Sequence, residues 1–285
     1  MRNLSSASVI KEILSENSFR FSKSLGQNFL IDENVLDAII SGAHINSDSY
    51  VLEIGPGFGT LTQKLCMNAK KVVSVEIDDT VIPILKDNLK DFDNLTVINS
   101  DILKTDISAL TNEYFNANPA KVCANLPYYI TTPVITALLN PTLPLTDITV
   151  MVQKEVAERL AAKPGSKAYG AISVIVGYYA QCEILLTVPP SAFIPQPKVS
   201  SAVIRLKKRQ QPSVTVKSEE IYFKVVKAAF AQRRKTLLNS IVNSNMLGIS
   251  KEKATELLIS AGIDPKRRGE TLSIEEFAKI ANALD

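Results

Sequence analysis

The segment VLEIGPGFGTLT, residues 51–62, joins a short apolar run to a glycine-rich turn and then to the start of a helical pattern. Glycines in such a turn permit tight turning and let a ligand approach the backbone closely. The spacing from Gly55 to Gly59 is G-x-G-x-G, which differs from the dinucleotide fingerprint. The segment predicts a strand, a ligand-binding turn and a helix. Taken alone, a purely structural turn is an equal alternative.

Short apolar runs alternate with helical patterns up to about residue 190, as buried strands of a parallel sheet do. We predict strands at 51–54, 71–77, 95–99, 121–124 and 147–152. Helices are predicted near 59–68, 79–90 and 131–139, the last with Thr132 as N-cap and Pro133 in its first turn. This alternation predicts βαβ units with helices on both faces of the sheet.

The second half of the chain changes character. Two further strands, 171–180 and 182–189, are too close in sequence for a crossover helix, so we expect them to be antiparallel, and a last strand ends near Leu206. A polar linker at 207–212 then leads to helices near 218–243, 250–260 and 273–283, with a capping-box pattern at Ser273 and Glu276. We therefore expect an α/β domain at 1–206 and a small helical domain at 207–285.

Composition limits the classes of function. The 285 residues include three widely separated cysteines without a C-x-x-C pair, which excludes a disulfide framework or a cysteine-based zinc site. His44 is the single histidine, so a Ser-His-Asp hydrolase or a histidine-ligated metal enzyme would rest on that one residue. We expect no bound metal.

The chain is predicted to be a cytoplasmic protein without a membrane segment. No basic stretch followed by an apolar core begins the sequence, and the apolar stretch 171–189 is interrupted by Gln181 and Glu183.

Charge is unevenly distributed, because residues 1–204 carry a net −4 and residues 205–285 a net +7. The basic clusters 233–235 and 266–268 lie in that second part, the first on a predicted helix. They are candidates for contacts with RNA phosphates, with a solvated surface as the alternative.

Acidic residues end the two strands that follow the glycine-rich turn. Glu76 lies at the tip of the second strand, where a carboxylate accepts both ribose hydroxyls of an adenosyl group. Asp101 follows the third strand and is placed to accept a hydrogen bond from an adenine amine. Each acid alone is more often a solvated charge. Together with the glycines they mark three successive strand ends, where open α/β sheets bind ligands.

The segment NLPY, residues 125–128, follows the fourth strand and indicates the type of chemistry. The amine of a purine ring is a poor nucleophile because its lone pair is delocalised. The side-chain oxygen of Asn125 and the carbonyl of Leu126 can accept its two N–H bonds, while Pro127 stiffens the turn and Tyr128 stacks on the base. Such a site orients an amine toward a methyl donor without a histidine base. In isolation, an ordinary turn with a packed tyrosine is the alternative.

Two more segments fit this interpretation. KSLGQNFL, residues 23–30, is too polar for a core element and is predicted either to fold over a cofactor or to act as a connector. Phe193 lies in the proline-rich loop 189–197 and is a candidate for the opposite face of a base sandwich, with a core aromatic as the alternative.

With these motifs in view, the chain closely resembles the ribosomal RNA adenine dimethylases, specifically the bacterial KsgA/RsmA group. The resemblance rests on residues 23–30, EIGPGFG at 53–59, NLPY at 125–128, FIPQPKVSS at 193–201 and FAQRRKTL at 230–237, which occur in this order along nearly the whole chain. It implies a seven-stranded Rossmann-like methyltransferase domain dependent on S-adenosylmethionine, followed by a small helical domain that recognises RNA.

The resemblance further implies dimethylation of N6 on two adjacent adenosines in a hairpin loop near the 3′ end of 16S rRNA. The substrate would be the immature 30S subunit, and the enzyme a monomer. The implied cofactor-binding residues are Asn28, Leu30, Gly55, Gly57, Glu76, Asp101, Ile102 and Asn125, and the implied catalytic residues are Asn125, Leu126, Pro127, Tyr128 and Phe193.

Three other functions remain open from the sequence. An antibiotic-resistance methyltransferase acting on 23S rRNA belongs to the same superfamily, but the C-terminal signature favours the 16S group. A non-catalytic binding protein or assembly checkpoint is disfavoured by the intact NLPY segment. A nicotinamide-dependent dehydrogenase is disfavoured by the glycine spacing and by the lack of an acid–base histidine.

Overall fold

The computed structural model describes residues 2–17, 19 and 26–284. Within them the strands are β1 Phe29–Leu30, β2 Tyr50–Ile54, β3 Lys71–Glu76, β4 Leu95–Asn99, β5 Ala120–Asn125, β6 Leu145–Gln153, β7 Ala180–Val188, β8 Phe193–Ile194 and β9 Ser201–Lys208. The α-helices are α1 Ala7–Glu16, α2 Glu33–Gly42, α3 Thr60–Asn68, α4 Ile82–Asn88, α5 Ile107–Phe115, α6 Thr131–Leu138, α7 Lys154–Leu160, α8 Ala171–Tyr179, α9 Glu219–Phe230, α10 Leu237–Ser244, α11 Lys251–Ser260 and α12 Ile274–Asn282.

The main sheet of the described residues has seven strands in the order β4-β3-β2-β5-β6-β9-β7. Strands β2 to β6 pair in parallel, and β9 runs antiparallel to β6. From β2 the chain proceeds outward to β4 and then returns to β5 on the other side of β2. Ligands of open α/β sheets bind at such a reversal, beyond the carboxyl ends of the strands. The predicted Rossmann-like sheet is confirmed.

The five strands predicted in the first 152 residues are confirmed to within two residues at each end. The predicted N-cap at Thr132 is wrong. Helix α6 begins at Thr131, so Thr132 lies inside it, and the residue before the helix is Ile130. The N–H of Ile130 already donates to the carbonyl of Pro127, and the helical hydrogen bonds continue directly from this turn.

The predicted strand at 171–180 is also wrong, because these residues form helix α8, and a single strand, β7, follows. Their β-branched and aromatic residues favour strands, but packing overrides that preference. The ring of Tyr178 stacks on that of Tyr222 in α9, with centroids 4.9 Å apart, and its hydroxyl donates to Glu219. A buried apolar helix and a buried strand cannot be distinguished by periodicity alone.

The chain forms two compact units, residues 1–157 with 183–208 and residues 158–182 with 209–285. The first holds the sheet and contains two core clusters, one that joins α2 and α3 to strand residues of the sheet and one around α1, α4 and Phe58. The second has its own core, built from α8 to α12. The predicted division at residues 206–207 assigns residues 158–182 to the first domain, whereas the structure groups Glu158–Cys182 with the helical unit. That segment begins within α7 and ends within β7, without a linker-like sequence.

The helical unit differs from the predicted pattern at one place. The single helix expected at 218–243 is interrupted, since α9 ends at Phe230 and α10 begins after its N-cap Thr236. The basic residues 233–235 therefore lie in the exposed turn between two helices. The capping box at Ser273 is confirmed, because its hydroxyl accepts from the N–H of Glu276 and its own N–H donates to the Glu276 carboxylate. Across the ranges given above, no helix is long and apolar enough to span a bilayer.

Candidate active site

A cavity opens at the carboxyl edge of the parallel strands, where the sequence predicted a ligand site. It is lined by the residues that end β2, β3, β4 and β5 and by the segment leading into β1. The predicted site residues among its lining are Asn28, Leu30, Gly55, Gly57, Glu76, Asp101, Ile102, Asn125, Leu126, Pro127 and Tyr128. The fold thus brings together residues from widely separated parts of the first half of the chain.

The floor of the cavity is the turn between β2 and α3. Gly55 has a φ of +66° and donates its N–H to the carbonyl of Val75, which closes the turn on β3. Gly57 has a φ of +57°, and a Cβ there would lie 2.6 Å from Cε1 of Phe29. Both the backbone angle and this close approach require glycine. The glycines therefore leave the backbone of this turn uncovered by side chains where it lines the cavity.

The carboxylate of Glu76 is buried beside this turn. One oxygen accepts the N–H of Gly57 at 3.2 Å, and the other accepts the N–H of Asp78 at 2.9 Å. Burial raises the pKa of Glu76, and the two N–H donors oppose that rise. Each oxygen keeps a further lone pair, so the group can accept two more hydrogen bonds.

Asp101 lies at the next strand end. One carboxylate oxygen accepts the N–H of Leu103 at 3.0 Å, which fixes the side chain in a local turn. The buried side chain of Ile102 and the half-exposed Leu103 follow it in the cavity wall. A carboxylate beside apolar walls suits a flat heterocycle that carries an amine.

Asn125 ends β5, and its orientation is fixed by one hydrogen bond. Its side-chain nitrogen donates to the carbonyl of Asn28 at 2.9 Å. Because a carbonyl only accepts, the nitrogen must face Asn28, and the side-chain oxygen remains an oriented acceptor. The N–H of Leu126 donates to the carbonyl of Met151 on β6, which fixes the following turn to the sheet.

Tyr128 is held by a hydrogen bond that the sequence did not predict. Its hydroxyl lies 2.8 Å from Oγ of Ser201, the first residue of β9. Lining residues that the sequence did not single out include Glu53, Ser100 and the half-exposed Tyr129. Gln27, within the predicted segment 23–30, donates to Asp78 at 2.7 Å. Their positions depend on contacts between distant segments, for which a single sequence carries no signal.

The structure does not place Phe193 at the cavity. Its side chain is 1% exposed and packs in the core with Leu30 and Met151, while β8 pairs with β1. The core aromatic, the alternative left open by the sequence, describes its position. Residues 23–25 of the KSLGQNFL segment lie outside the described residues. Its remainder, 26–30, lines the cavity.

The charges of the cavity decide which cofactor fits. Among the described residues, its lining contains the acidic side chains of Glu53, Glu76 and Asp101 and no lysine or arginine. Burial raises the pKa of Glu53 to about 7, and Ser74 donates to its carboxylate at 2.6 Å. An anionic cavity repels the pyrophosphate of a dinucleotide and suits a cation with ribose hydroxyls and an adenine amine. S-adenosylmethionine has these features, so the residues present fit it.

The sheet is Rossmann-like, its cavity is acidic and edged by glycines, and the Asn125 amide is oriented at the end of β5. Together these features define the class of S-adenosylmethionine-dependent methyltransferases. Comparison with known proteins then identifies the family. The model of the family described as ribosomal RNA adenine dimethylase matches residues 18–285. The chain belongs to this family, and it is an rRNA methyltransferase that uses S-adenosylmethionine as its methyl donor.

Individual relatives agree with this assignment. Ribosomal RNA small subunit methyltransferase A of Clostridioides difficile (strain 630) is 53% identical over 285 residues, covering 100% of this chain and 98% of the relative. The protein of the same name from Bacillus cereus (strain B4264) is 52% identical over 287 residues, with the same coverage.

Two solved structures are similar in fold and sequence. A dimethyladenosine transferase from Plasmodium falciparum has a TM-score of 0.73 and 28% identity, covering 88% of this chain and 95% of that one. The 23S rRNA methyltransferase ErmE has a TM-score of 0.69 and 25% identity, covering 90% and 99%. The fold is therefore common to enzymes with different names and targets.

Proposed function

We propose that the protein dimethylates N6 of two adjacent adenosines in a hairpin loop near the 3′ end of 16S rRNA. Its substrate is the immature 30S subunit, and it acts as a cytoplasmic monomer in small-subunit biogenesis. Support for the small subunit comes from the names of the full-length relatives at 52–53% identity. Support for an adenine amine as the group that receives the methyl comes from the family and from the geometry at Asn125.

The observation that carries the chemistry is the hydrogen bond from Asn125 to the carbonyl of Asn28. It leaves the Asn125 side-chain oxygen fixed as an acceptor beside the backbone of Leu126. When this oxygen and the Leu126 carbonyl accept the two N–H bonds of the amine, its lone pair is turned away from the ring. S-adenosylmethionine supplies the electrophilic methyl group. Catalysis here is orientation and electrostatic stabilisation.

The remaining lining residues hold the cofactor in this proposal. Glu76 accepts the ribose hydroxyls, and Asp101 accepts the adenine amine. Gly55 and Gly57 allow the methionine part to approach the backbone, while Ile102 packs against the adenine. Asn28 and Leu30 close the cavity from the N-terminal side. Leu126, Pro127 and Tyr128 form the side of the site that faces the target base.

The proposed reaction is tested on small subunits that lack these methyl groups. They are incubated with the protein and labelled S-adenosylmethionine, and the labelled nucleotides are mapped. We expect N6,N6-dimethyladenosine at two adjacent positions near the 3′ end of 16S rRNA. Label on 23S rRNA instead would support the alternative of a large-subunit enzyme, and binding of the subunit without transfer would support a non-catalytic role.

Asn125→Ala tests the orientation mechanism. We expect a folded protein that keeps most of its affinity for S-adenosylmethionine and loses methyl transfer by roughly 100-fold or more, because the amine is no longer oriented. Asn94→Ala is the matched control, since Asn94 also donates to backbone carbonyls, those of Cys66 and Ala69, at the opposite edge of the sheet. Near-normal turnover of Asn125→Ala would remove Asn125 from the mechanism.

A further inference from the structure

Ser201 lies next to the site through the topology of the sheet. Strand β6 runs parallel to β5, so both end at the cavity edge, with Asn125 opposite Met151. Strand β9 is antiparallel to β6 and pairs Ser201 with Gln153, so its first residue lies at the same edge. A residue far along the chain from Asn125 thus reaches the site from the neighbouring strands.

The hydrogen bond between Ser201 and Tyr128 has the features of a rigid anchor. Ser201 is fully buried, and its Oγ lies 2.8 Å from the Tyr128 hydroxyl. Burial raises the pKa of Tyr128, so the phenol remains protonated and can hydrogen-bond at neutral pH. The backbone before Ser201 is also fixed, because the carbonyl of Ser200 accepts the N–H of Lys154. The ring of Tyr128 is therefore held at both ends, by its own backbone and by its hydroxyl.

We propose that Ser201 is a positioning residue that fixes the plane of the Tyr128 ring, and that this hydrogen bond is needed most for the second methylation of each adenosine. This inference rests on the proposed N6,N6-dimethylation. Ser201 does not touch the reacting atoms. It acts through Tyr128, on which the target base stacks.

The second methylation depends more on stacking because the amine has changed. In each round one N–C bond forms, the methyl–sulfur bond of the donor breaks and one amine proton passes to water. An unmodified adenosine presents two N–H bonds, which the Asn125 oxygen and the Leu126 carbonyl accept. After the first round only one N–H remains, so one of these hydrogen bonds can no longer form. Stacking on the Tyr128 ring then contributes a larger share of the interactions that hold the base. A loosely held Tyr128 ring therefore slows the second round more than the first.

The test uses Ser201→Ala and Tyr128→Phe, which remove the two sides of the same hydrogen bond while keeping the aromatic ring. On small subunits lacking both dimethyladenosines, the single-turnover rates of the first and second methylations and the mono- to dimethyladenosine ratio are measured. We expect both variants to accumulate N6-methyladenosine, with the second rate reduced at least threefold more than the first. Affinity for S-adenosylmethionine, measured by calorimetry, should be unchanged.

Two comparisons separate this role from a structural one. The double variant should show the same product ratio as each single variant, since either substitution alone already removes the whole hydrogen bond. Ser49→Ala is the matched control, because Ser49 is also a buried serine whose hydroxyl is hydrogen-bonded, to Asn46, but it precedes β2 at the opposite edge. It should leave the product ratio at the wild-type value.

The inference would be overturned by equal slowing of both methylations, by additive effects in the double variant, or by Ser49→Ala giving the same product ratio. If Ser201→Ala does not fold, Tyr128→Phe alone still decides, because it removes the hydroxyl with little change in volume. The wild-type reaction is measured on the same subunits. Failure of dimethylation there contradicts the proposed function, whereas normal wild-type dimethylation with unaltered variant ratios contradicts only the role of Ser201.

Discussion

At the residue scale, the proposed role of Glu76 links the shape of the glycine turn to cofactor binding. Its carboxylate accepts the N–H groups of Gly57 and Asp78 and has lone pairs left, which we propose accept the ribose hydroxyls. We expect Glu76→Ala to weaken S-adenosylmethionine binding by roughly 1–3 kcal/mol, because charge-assisted hydrogen bonds are removed. Calorimetry measures the change in binding free energy. Thermal unfolding of the variant shows whether the substitution also destabilises the turn. Binding of NADH with no response to S-adenosylmethionine would contradict the assignment.

Glu53 gives the protein a predictable dependence of stability on pH. Its carboxyl is fully buried, and burial raises its pKa from 4.5 to about 7 in the folded state. Between these two values the folded chain holds a proton that the unfolded chain has released, so stability falls as pH rises and levels off above about 7. The stabilising contribution is therefore complete only at acidic pH.

Glu53→Gln is expected to remove this part of the pH dependence, since a glutamine does not ionise. At pH 8 the variant should be more stable than the wild type by roughly 1–3 kcal/mol, and the difference should shrink toward about pH 5. Denaturant unfolding across this pH range measures it. A constant difference at all pH values would show that Glu53 does not titrate with a raised pKa.

The sequence predicted the strand-end residues of the site but missed the hydrogen bonds that orient them. Glu76 and Asp101 were found because parallel strands end at one edge, a rule that needs only the strand assignment. The bond from Asn125 to Asn28 and that between Tyr128 and Ser201 join segments 97 and 73 residues apart. For lack of the same information, the sequence left open whether Phe193 stacks on the base or packs in the core, and the pairing of β8 with β1 buries it.

At the element scale, the turn between β2 and α3 is the tightest constraint on the cavity. Gly57→Ala introduces both an unfavourable φ and a clash with the ring of Phe29. Gly165→Ala is the matched control, because Gly165 has a φ of +84° and nothing within 4 Å of an added Cβ. We expect the control to cost about 1 kcal/mol and Gly57→Ala about 2–4 kcal/mol, with weaker cofactor binding only in the latter. Equal losses of stability for the two variants in thermal unfolding would show that the Phe29 ring moves to accommodate the added methyl group.

Elements of the α/β sheet were predicted more accurately than those of the helical unit for a physical reason. Each early strand is a short apolar run between turn residues, and its neighbours repeat the same alternation with helices. Helix α8 has a composition that favours a strand and is fixed by packing against α9 and α12. The interruption between α9 and α10 comes from the N-cap Thr236, whose signal lies within an otherwise continuous helical pattern.

At the scale of the whole molecule, the unequal charge of the chain agrees with an RNA substrate. Residues 1–204 carry −4 and residues 205–285 carry +7. The acidic residues of the first part include Glu76 and Asp101 of the cavity, whose carboxylates suit a cationic cofactor. The basic residues of the second part include exposed side chains in the turn 233–235 and the loop 266–268. We propose that the helical unit, rather than the cavity, supplies the cations that contact RNA phosphates.

The basic clusters divide into side chains with acidic partners and side chains without one. Arg267 is paired with Glu276, with Nη2 2.9 Å from the carboxylate, while Arg233 and Arg268 lie near Glu270. Over the described ranges, Arg234, Lys235 and Lys266 are exposed and form no ion pair. These last three are therefore the ones available to replace counterions on RNA.

Replacing Arg234, Lys235 and Lys266 with Ala is expected to weaken binding to undermethylated small subunits, as measured across a salt series. The weakening should be largest at low salt. The slope of log K against log salt should fall by about 2–3, because each phosphate that is no longer neutralised keeps roughly one counterion. Affinity for S-adenosylmethionine should be unaltered, since the three substitutions lie outside the cavity lining.

Arg267→Ala is the matched control for this triple variant. It also removes an arginine of the cluster, but one that already pairs with the capping-box residue Glu276. It should therefore lower the melting temperature and leave the salt slope unchanged. An unchanged slope in the triple variant would place the RNA-binding surface away from these two clusters, around Lys23, Lys163 and Lys167 instead.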